Sequence, residues 1–212
     1  MITHGEDLLV AGAWILGFGA LVDAVGQTRQ TFTSSNLGKD LIIKGNGIEA
    51  FGNSLQAIGR TKLLRPESGL AELYTIFGAW VEAAGNTTNA VGVDMELNVS
   101  EEGGAKVDAL GSGIQGLGAA FEAVGAFLEE DSSFRSLAIT GNSFISLGSF
   151  LGAVGKIFIL NDKHIIGERI LLVGSWILAI GSFILIRAIT LEVESDLSSE
   201  TESDTLSPYS YH

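Results

Sequence analysis

The chain of 212 residues is poor in three residue types: cysteine, proline and the basic residues. With no Cys, disulfides and thiolate chemistry are excluded, and with only 2 Pro, long regular elements are favoured. Lys and Arg together number 12 against 25 Asp and Glu, which gives a net charge of −13. Because phosphate recognition needs clustered basic side chains, we expect no nucleic-acid partner.

Motifs for enzyme chemistry are also missing. The three histidines, His4, His164 and His212, show no ligand spacing, so neither a zinc site nor a Ser-His-Asp triad is indicated. Residues 111–116 match GxGxxG formally, but the segment before them is a poor strand, so nucleotide binding is not indicated. We predict no enzyme activity, no metal and no cofactor. Residues 1–10 carry no Lys or Arg, so we expect no cleavable signal peptide.

Glycine, in contrast, is abundant, with 28 residues, and in six segments it recurs every seventh position. The middle glycines of the first four segments are spaced 33 residues apart, which indicates an internal repeat. The glycines of this heptad are Gly12, Gly19, Gly26, Gly45, Gly52, Gly59, Gly78, Gly85, Gly92, Gly111, Gly118, Gly125, Gly141, Gly148, Gly155, Gly167, Gly174 and Gly181.

The heptad predicts helices. Large apolar residues occupy the third, fourth and seventh positions of each heptad, counted with its glycine as the first. These positions share one face of a helix, while period-two alternation is missing. We predict an all-α fold of about six helices, packed as a bundle or as helical hairpins. The predicted helices lie near 8–27, 41–60, 69–92, 107–129, 136–159 and 165–189. They form one repeat domain, 1–191, and the acidic, serine-rich residues 192–212 are predicted to be a disordered tail.

The face opposite the large apolar residues is small. Beside the glycine, alanine or serine and a second alanine fall four residues apart on it, as Ala20 and Ala24 do. This small-xxx-small spacing lets helix backbones approach closely. We therefore predict that the heptad glycines are helix-packing residues, within the chain or between copies of a homo-oligomer.

The last apolar segment is the main evidence on whether the protein lies in a membrane or in water. Residues 170–186 contain no charge, and 165–189 is long enough to span a bilayer, so we predict a membrane location. The alternative is a cytoplasmic protein in which this segment is the buried central helix of a soluble bundle. Lys and Arg show no bias between alternate connections, so no topology follows.

The fifth heptad position is acidic or amide in the middle segments. Glu49, Glu82 and Glu122 occupy equivalent repeat positions. A solvated acidic stripe is the preferred interpretation. In the alternative, the three glutamates meet inside a bundle, where they would line the path of a transporter or pore.

Two units carry a resemblance: Gly52-Asn53-Ser54-Leu55-Gln56-Ala57-Ile58-Gly59 and Gly78-Ala79-Trp80-Val81-Glu82-Ala83-Ala84-Gly85-Asn86. They resemble an uncharacterised family of repetitive bacterial proteins from Gram-positive spore formers. The resemblance covers roughly residues 8–160 and implies no activity.

Together these observations predict a membrane-associated structural protein that packs through its glycine and alanine faces. A soluble helical repeat protein that binds a protein partner is the alternative, and a transporter or pore is the third class. No small-molecule substrate is indicated.

Overall fold

The chain folds into long helices joined by short connections. The computed structural model describes residues 4–33, 35–129, 132 and 134–206. Its helices are α1 (His4–Thr33), α2 (Asn36–Leu63), α3 (Leu70–Asn98), α4 (Glu101–Leu128), α5 (Arg135–Leu160) and α6 (His164–Leu206). The predicted all-α bundle of six helices is confirmed.

Most helices extend beyond the glycine heptads that predicted them. Between α3 and α4 only Val99 and Ser100 remain outside a helix, and the Ser100 hydroxyl accepts a hydrogen bond from the Gly103 N–H (3.1 Å), which caps α4. The turn from α5 to α6 is also tight, and Asp162 adopts a left-handed conformation there (φ 59°). Polar helix ends carry no apolar periodicity, which is why the predicted helices were too short.

Helix α6 continues through the start of the acidic segment to Leu206. Arg60 on α2 forms two hydrogen bonds with the Glu192 carboxylate, at 3.0 and 3.2 Å. This ion pair ties the first residue of the predicted tail to the helical domain. Residues 207–212 lie outside the described part of the chain.

The six helices form a closed ring. Among the described residues, each helix contacts its neighbours in sequence, and α1 also contacts α6. Across this closure, Trp176 Nε1 donates to Thr28 Oγ1 (3.0 Å) and Gln27 Nε2 donates to a Glu168 carboxylate oxygen (2.9 Å). Helix α6 is therefore one wall of a ring, not the central helix of a soluble bundle. We call the end where α1 begins the amino end, and the end where α1, α3 and α5 finish the far end.

Glycine determines how the helices pair. In each of the hairpins α1–α2, α3–α4 and α5–α6, the heptad glycines of one helix lie against the backbone of the other, and all of them are buried. The fifth heptad position of the partner helix lies over each glycine. In α3–α4 these pairs are Gly78 with Glu122, Gly85 with Gln115, Gly92 with Asp108, Gly104 with Glu96, Gly111 with Asn89, and Gly118 with Glu82.

The outer surface of the ring is apolar. Trp14 and Phe18 on α1 are 57% and 59% exposed, and every other helix shows the same kind of face. Further examples are Phe51, Ile58, Phe77, Trp80, Leu117, Val124, Leu147, Phe150, Val173 and Ile180. By length and composition, His4–Thr33, Arg135–Leu160 and His164–Ser195 are each able to cross a membrane.

The interior has an apolar side and a polar side. Leu9, Leu16, Ile145, Leu178 and Ile189 form the apolar core where α1, α5 and α6 meet. The polar side belongs mainly to α2, α3 and α4. The reason lies in the fifth heptad position, which is leucine throughout α6 and acidic or amide in the middle helices.

Replacing Gly118 by Ala tests the glycine contact. A Cβ there would lie 2.6 Å from the Glu82 backbone N and 2.7 Å from the Gly78 carbonyl oxygen, so the helices must separate. We expect a loss of about 1–3 kcal/mol from overpacking. Gly113 on the same helix is the control, because a Cβ there meets nothing within 4 Å. Gly113→Ala should gain up to about 1 kcal/mol in helix propensity. Thermal unfolding in detergent, followed by circular dichroism, measures both, and equal stability of the two variants would contradict the glycine contact.

Candidate functional site

A cavity of about 60 Å³ lies inside the ring and has room for a few water molecules. Every helix contributes at least one polar side chain to its wall. One such residue from each helix, in order, is Asp23, Asn46, Asn89, Gln115, Lys156 and Ser175. A second cavity of about 40 Å³ continues toward the far end, and it shares Gln27 and Lys156 with the first.

A cluster of charges closes the far end of the interior. Lys156 Nζ lies 2.6 Å from Glu96 Oε1 and 2.7 Å from Asp108 Oδ2. Lys39 Nζ reaches the other Glu96 oxygen at 2.9 Å. The cluster therefore joins α2, α3, α4 and α5. Burying these charges is tolerable because each contacts a charge of the opposite sign.

Amides connect the middle of the interior. Asn89 Nδ2 donates to Gln115 Oε1 (3.1 Å), and Gln115 Nε2 donates to Glu49 Oε2 (3.2 Å). Nearby, Asn46 Nδ2 donates to Asp23 Oδ1 (3.0 Å). Side chains from α1 to α4 thus form a nearly continuous hydrogen-bonded layer next to the far-end charges.

Two glutamates meet toward the amino end. Glu82 and Glu122 each lie over a glycine of the other helix, so the two buried side chains lie side by side between α3 and α4. Asn53 Nδ2 on α2 donates to Glu82 Oε2 (3.3 Å). We call the buried polar side chains of the interior the polar axis. It begins at Glu96 and Lys156 at the far end, passes Glu49 and ends at the Glu82–Glu122 pair.

The polar axis approaches the amino end at Arg60, which is bound to Glu192. Glu129, just beyond α4, lies close enough to Arg60 and Glu192 for both charges to affect its pKa. Burial raises the pKa of Glu129 to about 7, the negative charge of Glu192 adds to the rise, and the Arg60 guanidinium opposes it. This end of the polar axis therefore changes charge near neutral pH.

The preferred interpretation of the repeated glutamates was wrong. Glu49, Glu82 and Glu122 are 1%, 1% and 4% exposed, so they form no solvated stripe. They lie inside the ring because the fifth heptad position faces the partner helix across its glycine. The sequence alone did not distinguish a solvated stripe from a buried cluster. The apolar face opposite the glutamates could have faced the interior or the outside of the bundle.

Of the other candidate motifs, the formal GxGxxG contributes Gln115 to the polar axis, and the described histidines are not part of it. His4 lies at the amino end and His164 at the far end, while His212 is outside the described residues. In the described ranges, His, Cys, Asp and Glu form no group of three suited to a metal ion. The formal GxGxxG at 111–116 lies within α4, where Gly111 packs against α3.

Sequence reasoning missed several members of the polar axis. Asp23, Glu96 and Asp108 each follow a glycine by four residues, so extending the heptad would have found them. Lys156 directly follows Gly155, a position that is small or amide after most heptad glycines, and no pattern marks it as a member of the polar axis. Asn86 is fully buried, and both polar atoms of its side chain lack a hydrogen-bond partner.

Removing the buried lysine tests the far-end charge cluster. Lys156→Ala leaves the buried Asp108 without its ion-pair partner and Glu96 with Lys39 alone, which should cost about 3–5 kcal/mol of unfolding free energy. Lys106→Ala is the control, because Lys106 pairs with Glu102 on the surface, and no measurable change is expected. Thermal unfolding in detergent compares them. A Lys156→Ala protein as stable as the wild type would show that the cluster carries no stabilising charge pairing.

Comparison with known proteins gives a family and no activity. No curated protein and no solved structure matches the chain. A family model matches residues 7–186, from α1 to the end of the uncharged run of α6. This agrees with the uncharacterised family expected from the sequence. Two details stay predictions: that the glycine unit is typical of the family, and that the family comes from spore formers. The chain belongs to DUF6944, a family of unknown function.

Proposed function

We propose that the chain crosses a membrane six times and carries protons or small monovalent cations along the polar axis. One observation carries the proposal: the polarity of the fold is inverted. Charged and amide side chains line one side of the interior, while large apolar side chains cover the outside. Water would favour the opposite arrangement, whereas a lipid bilayer favours this one.

The exposed charges support a bilayer of ordinary thickness. On α2 no exposed residue between Lys44 and Lys62 is charged, and on α6 the same holds between Arg169 and Arg187. At 1.5 Å per residue each interval is about 27 Å long, close to the hydrocarbon core of a membrane, which is about 30 Å. The uncharged belt therefore includes α2, although the mean hydropathy of α2 is too low for that of a membrane span.

Mean hydropathy does not identify α2, α3 and α4 as membrane spans, because it includes their polar residues, which face inward. Glu82 and Asn89 lower the mean hydropathy of α3, yet both are buried against α4. The exposed residues of the same helix include Phe77, Trp80 and Val91. Lipid would contact this apolar face only.

The sign of the interior charge favours cations. Asp23, Glu49, Glu82, Glu96, Asp108 and Glu122 are acidic members of the interior. The basic side chains close to them are Lys39, Lys156 and Arg60. An ionisable group within a membrane is costly and is usually part of an ion or proton path. The cavities hold only a few waters, so we propose stepwise movement between sites and no wide pore.

The two other predicted functions fit the fold less well. All the heptad glycines are used inside one chain, which leaves no glycine face for a structural assembly of copies. A soluble helical repeat protein would have to expose the whole apolar belt to water. The absence of enzyme activity stays part of the proposal.

Cysteine labelling tests the six spans, and the chain suits it because it contains no Cys. Glu67→Cys and Val99→Cys place exposed thiols at the two ends of α3, and Ala84→Cys places one halfway along its outer face. In sealed vesicles a membrane-impermeant maleimide should label residues 67 and 99 from opposite sides. Residue 84 should react poorly until detergent is added. Labelling of all three from one side would contradict the spanning of α3.

Ion flux tests the proposed transport. The full chain in liposomes should dissipate an imposed proton, sodium or potassium gradient faster than empty liposomes do. Glu49→Gln removes an ionisable carboxyl group at the centre of the polar axis and should lower that flux at least about tenfold. Asp94→Asn is the control, because Asp94 is an exposed acid on α3 outside the polar axis, and it should leave flux unchanged. No flux of any of the three ions would overturn the proposal.

A further inference from the structure

The Glu82–Glu122 pair places two buried acidic side chains side by side between neighbouring helices, with Asn53 donating to one of them. Glu82 lies over Gly118 and Glu122 lies over Gly78, so the glycines bring the two side chains together between α3 and α4. A hydrogen bond between two carboxyl groups requires a proton, because an ionised carboxylate can only accept. Two carboxyl groups this deeply buried and this closely placed are therefore suited to take up a proton.

The surroundings of the pair strengthen this requirement. Both side chains are buried, and two carboxylates side by side in a dry interior cannot both be ionised. The charged groups that act on the pair from α2 are Glu49 and Arg60. Arg60 is also bound to Glu192 on α6, so its charge is already partly neutralised.

Asn86 gives an independent sign of a ligand next to the pair. It lies one turn after Glu82 on the same face of α3, is 0% exposed, and has neither side-chain polar atom hydrogen-bonded. Side chains on a helix lean toward its N-terminus, so the Asn86 amide leans toward Glu82. An amide with a donor and an acceptor both available suits a water molecule that relays a proton.

An alkali cation fits this position poorly. Hard cations are held by several oxygen ligands at once. Here one Glu82 carboxyl oxygen already accepts a hydrogen bond from Asn53 Nδ2. Within the described ranges there is also no group of three acidic or histidine side chains suited to a metal ion.

From this geometry we propose that the Glu82–Glu122 carboxyl pair is the proton-binding site of the polar axis, so that the transported ion is the proton. The proposal rests on the function proposed above and names its substrate. The pair holds one proton between its carboxyl oxygens and passes it to a water beside Asn86. Glu49 is the next acid along the polar axis toward the far end.

Infrared difference spectroscopy and flux together test the site on the full chain in liposomes. The wild type should show the carbonyl stretch of a buried protonated carboxylic acid, and Glu82→Gln and Glu122→Gln should each remove or shift that band. The same two variants should lower proton flux at least about tenfold, while Asp94→Asn changes neither measurement. Sodium and potassium tracers should not be transported. Gln matches Glu in shape and can still hydrogen-bond to the remaining carboxyl, and circular dichroism verifies that each variant is folded.

The outcomes separate the two proposals. A carboxylic-acid band that responds to both variants, without flux of any ion, supports the proton site and overturns the transport function. Sodium or potassium flux with no such band supports transport and overturns the proton site. Proton flux that survives both variants unchanged also overturns the site.

Discussion

Close contact between a glycine and the backbone of the neighbouring helix is the constraint on which the rest of the structure depends. It repeats every seven residues along three antiparallel hairpins, and it leaves a space that the fifth heptad residue of the partner helix fills. That residue is directed to the interior, so one short repeat determines helix distance, register and the lining of the ring. A helix pays about 1 kcal/mol for each interior glycine, and the packing and the polar contacts across the hairpin offset this cost.

Because the glycine contact leaves the identity of the fifth residue free, one architecture accommodates two chemistries. Leu171, Leu178 and Leu185 make the α5–α6 hairpin an apolar wall. Glu82, Gln115 and their neighbours make α3–α4 a polar one, and α1–α2 is mixed. The polar axis is therefore displaced toward α2, α3 and α4, and Lys156 is the one long basic side chain that α5 contributes to it.

The sequence was sufficient for the number, order and approximate bounds of the helices, because apolar heptads are local. It also identified the glycines and the equivalence of Glu49, Glu82 and Glu122. It was not sufficient to tell which face of each helix is turned toward the interior, since an apolar face can pack in a core or contact lipid. Lys156 was beyond reach for another reason: its partners Glu96 and Asp108 are distant in sequence, and only the closed ring brings the three together.

Closure of the ring by α1 and α6 has a consequence for synthesis. The acids of α2, α3 and α4 leave the ribosome before Lys156 on α5, and before α6 completes the wall. In the proposed membrane setting, the early hairpins would meet the insertion machinery with unneutralised carboxyl groups. Their glycine-mediated pairing hides those groups from lipid while the rest of the chain is made. The ring would thus be assembled hairpin by hairpin, with the most apolar helices, α1 and α6, inserted first and last.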